Sequence, residues 1–139
     1  MTTLRGLRNN NPLNIRKNKD TFTGEKPQCT DPAFKQFISM AYGYRAAFVI
    51  LGTYLERGQN TIEKIVKAWA PPSENNTEAY TRNVSIRSGV ERNKLLTNMS
   101  GGDYINIVAA MSFSENGVPA VMTDVQAGFS LQTKIGRLQ

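Results

Sequence analysis

The strongest constraint on the fold is a change of period near residue 41. Residues 15–39 show no helical repeat and carry Gly24, Pro27 and Pro32. That pattern predicts short strands or hairpins, around residues 15–17, 21–23 and 34–39. From Ala41 onward apolar residues recur every three or four positions. Tyr44, Phe48, Leu51, Tyr54 and Leu55 form one stripe, which ends near Arg57-Gly58. Thr61 is placed to cap a second helix with Ile62, Ile65, Val66 and Trp69, stopped by Pro71-Pro72. A third starts at Thr77, carries Tyr80 and Val84, and stops near Gly89. A fourth begins at Asp103 as N-cap, and a last one runs from Thr123 or Asp124 to about Phe129, near Gly128. The expected class is α+β and mostly helical, with a small β-hairpin element near the N-terminus. The 139 residues contain no repeat, low-complexity tract or linker, so a single domain over 1–139 is expected.

The fourth helix carries the most informative side chain. Residues 103–117 are largely apolar, and Asn116-Gly117 forms a stop signal. At helical spacing Glu115 shares a face with Met111, Val108, Ile107 and Tyr104. The carboxylate is thereby carried to the edge of an apolar environment, a setting suited to a general acid. The alternative is a residue pointing outward where the helix frays.

Composition narrows the chemistry. There is no histidine, which excludes Ser-His-Asp and Cys-His mechanisms and His-ligated zinc. Cys29 is the single cysteine, so neither an intramolecular disulfide nor a cysteine metal site is expected, and no cofactor is implied. No run of about 18 apolar residues exists, so no membrane span is expected. The first residues lack the apolar core of a signal peptide, pointing to synthesis in the cytoplasm.

The net charge of +6 suits nucleic acid, anionic membranes or an anionic cell-wall polymer. Arg5, Arg8, Arg16, Lys17 and Lys19 cluster near the N-terminus. No aromatic interleaving accompanies them and no DNA-reading helix pattern is seen, so nucleic acid is the weaker reading.

Catalysis, if present, then rests chiefly on the eleven carboxylates. Glu25 in the expected hairpin, Glu74 in the Pro-Pro loop and Glu115 lie where a cleft has use for them. Glycoside cleavage needs an acid to protonate the leaving oxygen, often with a second carboxylate about 5–10 Å away. Glu115 with Glu25 is the candidate pair, against a solvated turn for Glu25. Trp69 reads either as a core anchor or as a sugar-stacking ring. Asn75 and Thr77 are explained by helix capping alone.

Four blocks, taken in order, resemble phage virion structural proteins of lysozyme-like type. They are Arg5-Gly6-Leu7-Arg8-Asn9-Asn10-Asn11-Pro12-Leu13-Asn14-Ile15-Arg16, then Asp31-Pro32-Ala33-Phe34-Lys35-Gln36-Phe37, then Gly43-Tyr44-Arg45-Ala46 leading to Trp69-Ala70-Pro71-Pro72 with Asn75, Thr77 and Tyr80, and last Ser114-Glu115-Asn116-Gly117. The segment 11–16, Gly24 and Phe34-Lys35-Gln36-Phe37 are also similar to part of bacterial cell-wall glucosaminidases. In those enzymes the catalytic Glu lies on a helix that precedes this segment, whereas here about ten residues precede it. Residues 108–117 instead resemble the apolar helix ending Glu-Ser-Gly of lytic transglycosylases, displaced to the C-terminus. The resemblance therefore implies a circularly permuted lysozyme-like domain with neighbouring termini. It implies cleavage of peptidoglycan glycan strands, with Glu115 as acid and Glu25 as the base of a hydrolase. Asn11, Asn14, Asn75, Tyr80 and Trp69 would contact the sugars. It further implies a virion location beside other virion proteins, with action on the host wall. The competing implication is a non-catalytic virion structural or glycan-binding protein of the same shape.

Overall fold

A computed structural model describes residues 4–136. A single turn, α1 (Arg5–Arg8), leads into an irregular segment, and five longer helices follow. They are α2 (Met40–Glu56), α3 (Ile62–Trp69), α4 (Thr77–Ser88), α5 (Gly101–Asn116) and α6 (Met122–Ser130). The architecture is mostly helical.

Side-chain caps set three of the starts. Ser39 accepts from the Tyr42 amide, Thr61 from Lys64 and Asn76 from Ala79. The expected cap at Asp103 is not used. Helix α5 starts two residues earlier, and Asp103 lies in its first turn, ion-paired to Lys94. An acidic side chain there complements the positive end of the helix, which explains the residue type without a cap. Gly117 ends α5 with φ +73°, the left-handed conformation expected of the Asn-Gly stop. Gly128 does not end α6 but lies inside it, where α6 crosses α2. A Cβ there would meet the Ala41 carbonyl at 2.8 Å, so the missing side chain lets the two helices approach.

The main core gathers one face from each long helix: Tyr44, Phe48 and Leu51 of α2, Ile65 of α3, Val84 of α4, Tyr104 and Ile107 of α5, and Val125 of α6. A smaller apolar cluster of Ile15, Phe37 and Ala46 seats the irregular segment on α2.

The expected hairpin is not formed. Among the described residues β-pairing is limited to two isolated antiparallel bridges, Arg16 with Phe34 and Glu25 with Phe37. Residues 33–38 run between residues 15–17 and 24–26, joined by single bonds such as Lys35 N–H to the Ile15 carbonyl. Side chains do much of what a ladder would do. The Asn11 amide bonds both backbone groups of Ile15 and the Lys35 carbonyl. Asp31 accepts from Arg5, Asn9 and the amides of Ala33 and Phe34. Asn and Asp side chains that bond the backbone in this way compete with extended pairing.

Candidate functional site

Residues 11–16 meet the C-terminal end of α5. The local geometry begins with Asn14, which adopts φ +53°, a conformation asparagine tolerates better than most residues. Its amide donates to the Asn11 carbonyl, closing a tight turn that aims the side chain at α5. Asn14 Nδ2 then donates to Glu115 Oε1 at 3.1 Å. From the other side, the Tyr80 hydroxyl of α4 donates to Glu115 Oε2 at 3.0 Å. Both oxygens of one half-buried carboxylate are therefore held by protein donors.

Asn116 secures the same junction. It is buried, and its Nδ2 donates to the Pro12 carbonyl at 2.7 Å and to the Ser112 carbonyl at 2.9 Å. Behind it the Ser112 hydroxyl pairs with the Tyr44 hydroxyl of α2 at 2.9 Å. Burial pushes the Tyr80 hydroxyl well above its ordinary value, and the charge of Glu115 adds to the shift. Tyr80 is therefore a neutral donor at physiological pH.

Glu115 opens on a cleft of about 260 Å³, whose wall includes Asn14, Arg16, Phe34, Trp69, Glu74 and Asn75. The rim combines two carboxylates, one guanidinium, amides and an aromatic face. Such a set can bind a polyhydroxylated, amide-bearing ligand and move a proton at one point within it.

No protein-family model matches the chain. Over 130 residues it is 39% identical to Protein P5 of Pseudoalteromonas phage PM2, an alignment spanning 90% of this chain and 79% of the phage protein. The chain belongs to the family of Protein P5. It thus belongs to a phage protein family, and among its described residues no helix is long and apolar enough to cross a membrane.

In this P5 relative the predicted site residues separate into two groups. Asn14, Trp69, Asn75, Tyr80 and Glu115 gather at the cleft or on the carboxylate itself. Trp69, the last residue of α3, packs against the two apolar clusters, as a core anchor would, and also lines the cleft. Asn75 is exposed and donates to the Pro71 carbonyl within its own loop.

Glu25 and Asn11 lie elsewhere. Glu25 pairs with the buried Lys35 ammonium at 2.9 Å and accepts the Phe22 amide at 2.6 Å. It does not line the cleft, and its charge neutralises a cation that would otherwise be stranded in the interior. Asn11 is fully buried with both ends of its amide bonded to backbone, so no ligand reaches it. The carboxylate that does share the cleft with Glu115 is Glu74, exposed on the Pro71-Pro72 loop. Arg16 and Phe34 are further cleft residues that the sequence reading did not select. What joins them is a cation-over-ring contact, with the Arg16 guanidinium 5.1 Å from the Phe34 ring centre, which needs the tertiary pairing of residues 16 and 34. Among the described residues no cluster of three or more carboxylate or cysteine side chains is placed to hold a metal ion.

Proposed function

We propose that this chain cleaves the glycan strands of peptidoglycan, with Glu115 as the group that moves the proton. One observation carries the reading: a half-buried carboxylate at the end of an apolar helix, oriented on both oxygens, facing a cleft lined by Trp69 and amides. In its acid form Glu115 gives a proton to the leaving glycosidic oxygen. The Tyr80 and Asn14 donors then stabilise the carboxylate left behind. In a lytic transglycosylase that carboxylate takes the proton from the sugar's own 6-hydroxyl, which closes onto the anomeric carbon, and no second carboxylate is required. In a hydrolase the second carboxylate would activate water, and Glu74 replaces Glu25 in that role.

The permuted lysozyme-like reading of the fold belongs to this proposal. It is supported by the contact of the Ser114-Glu115-Asn116-Gly117 helix end with residues 11–16. Membership of a phage protein family supports carriage in the virion among other virion proteins, and delivery to a host cell wall is part of the proposal.

Zymography on purified peptidoglycan tests the reading. Wild type should clear the substrate, and Glu115→Gln should lose activity by roughly 10²–10⁴-fold. Equal clearing by both would remove Glu115 from the chemistry. No clearing by either would leave the chain as a non-catalytic virion structural or glycan-binding protein.

A further inference from the structure

The cleft at Glu115 does not end at Trp69. A second hollow, of about 520 Å³, shares Asn14, Arg16 and Trp69 with it, so the two form one groove with Glu115 toward one end. The charge along this groove is polarised. The Glu115 end carries the carboxylates of Glu74 and Glu115. The far hollow carries Lys17 and Arg57 in addition to Arg16, against the single carboxylate of Asp20. All three cations are exposed, and none forms an ion pair among the described residues. By contrast Arg5, the other guanidinium on the Phe34 ring, is committed to Asp31. Arg16 is thus a guanidinium at the junction of the two hollows, steadied by an aromatic face and free to take a ligand.

We infer that this basic arm reads a carboxylate on the sugar strand, with Arg16 as its specificity-determining residue. The inference rests on the glycan reading above and refines the substrate class to carboxylate-bearing glycans. The planar fork of a guanidinium suits a carboxylate, and stacking on Phe34 limits its freedom before binding. In a peptidoglycan strand every second sugar carries a lactyl group. Its carboxyl is either free, once the peptide has been removed, or extended into a stem peptide with carboxylates of its own. A strand lying over Trp69 from the Glu115 cleft into the hollow brings one of these groups to Arg16. A neutral strand of N-acetylglucosamine lacks any such group. It would leave the three cations with water.

Equilibrium binding to the Glu115→Gln chain separates these cases without any turnover. The probes are a neutral N-acetylglucosamine hexasaccharide, peptide-free peptidoglycan strands with free lactyl carboxylates, and strands that keep their stem peptides. At low salt at least one carboxylate-bearing probe should bind about fivefold or more tighter than the neutral one, and that advantage should fade by about 0.5 M salt. Which of the two binds better places the carboxylate on the sugar or on the peptide. Adding Arg16→Gln should weaken the anionic probes by roughly three- to tenfold and the hexasaccharide clearly less. Arg57→Gln, on a different element, should act in the same direction. Equal binding of neutral and anionic probes, or equal weakening of both by Arg16→Gln, would overturn the inference while leaving the glycan reading intact. Binding of none of the three would remove the glycan reading and this inference with it.

Discussion

Replacing Asn116 with Ala tests the junction on which the site depends. The Asn116 side chain is only 7% exposed, and its amide bonds the Pro12 carbonyl at 2.7 Å and the Ser112 carbonyl at 2.9 Å. Ser112 lies one helical turn before Asn116 within α5, so its carbonyl also faces the helix's own amide ladder. Pro12 has no such substitute, and an orphaned buried carbonyl costs about 1–3 kcal/mol. The space vacated by the amide adds about 1 kcal/mol, since the packed surroundings close only in part. The expected loss is therefore about 2–4 kcal/mol. For a chain of this size that lowers Tm by on the order of 6–15 °C. Urea unfolding followed by circular dichroism measures it, with the m-value unchanged. Asn116→Asp keeps the shape but supplies no donor and sets a charge against two carbonyls, so it should cost more than Ala. An Ala variant within about 0.5 kcal/mol of wild type, or an Asp variant as stable as wild type, would refute the assignment of this bond as the clamp.

Two further outcomes follow from the titrating groups. The Arg5 guanidinium holds the Asp31 carboxyl well below the usual carboxylate range, aided by Asn9 and two backbone amides. A depressed value stabilises the fold above the unfolded carboxylate range, so this contribution is lost as pH falls below about 4. Asp31→Asn should lower stability at neutral pH and flatten its fall in acid, as read from thermal melts between about pH 2 and 7. Tyr80 has the opposite sign: its raised value means its contribution is present below about pH 10 and is lost as pH climbs further. Tyr80→Phe should therefore soften alkaline unfolding. It also deletes one donor to Glu115, so clearing of peptidoglycan should drop by about tenfold while the fold is kept.

The helices were legible because caps and apolar stripes are local signals. Thr61 and the Gly89 and Gly117 stops act within a turn of their own positions. The N-terminal segment was less legible for a physical reason. Whether Asn11 or Asp31 bonds its own backbone or a distant strand is decided by what lies across the chain, and here side chains replaced the ladder. The choice of Glu25 over Glu74 followed from the expected hairpin. Sequence placed Glu25 in such a hairpin, but it could not reveal the buried Lys35 that captures it. Glu74 sits in a loop whose direction depends on how Pro71 and Pro72 turn the chain after Trp69, a tertiary matter. Asn14, Tyr80 and Glu115 come from three separate stretches, and no periodicity links them.

The bond between Asn14 and Glu115 joins residues 101 positions apart. Bringing the ends of such a loop together costs about 4 kcal/mol in chain entropy, more than one hydrogen bond returns. The contacts of α3 with α4 and of α4 with α5 span much shorter loops and can form first. The helix-to-helix contacts thus carry a smaller closure cost than the contact that completes the site. A ribosome-bound chain that ends between Tyr80 and Glu115 has already made Asn14 and Tyr80 but not the carboxylate that both side chains hold. Competence for the proposed chemistry therefore arises only when the end of α5 docks against residues 11–16, so a chain that lacks this contact is silent by construction.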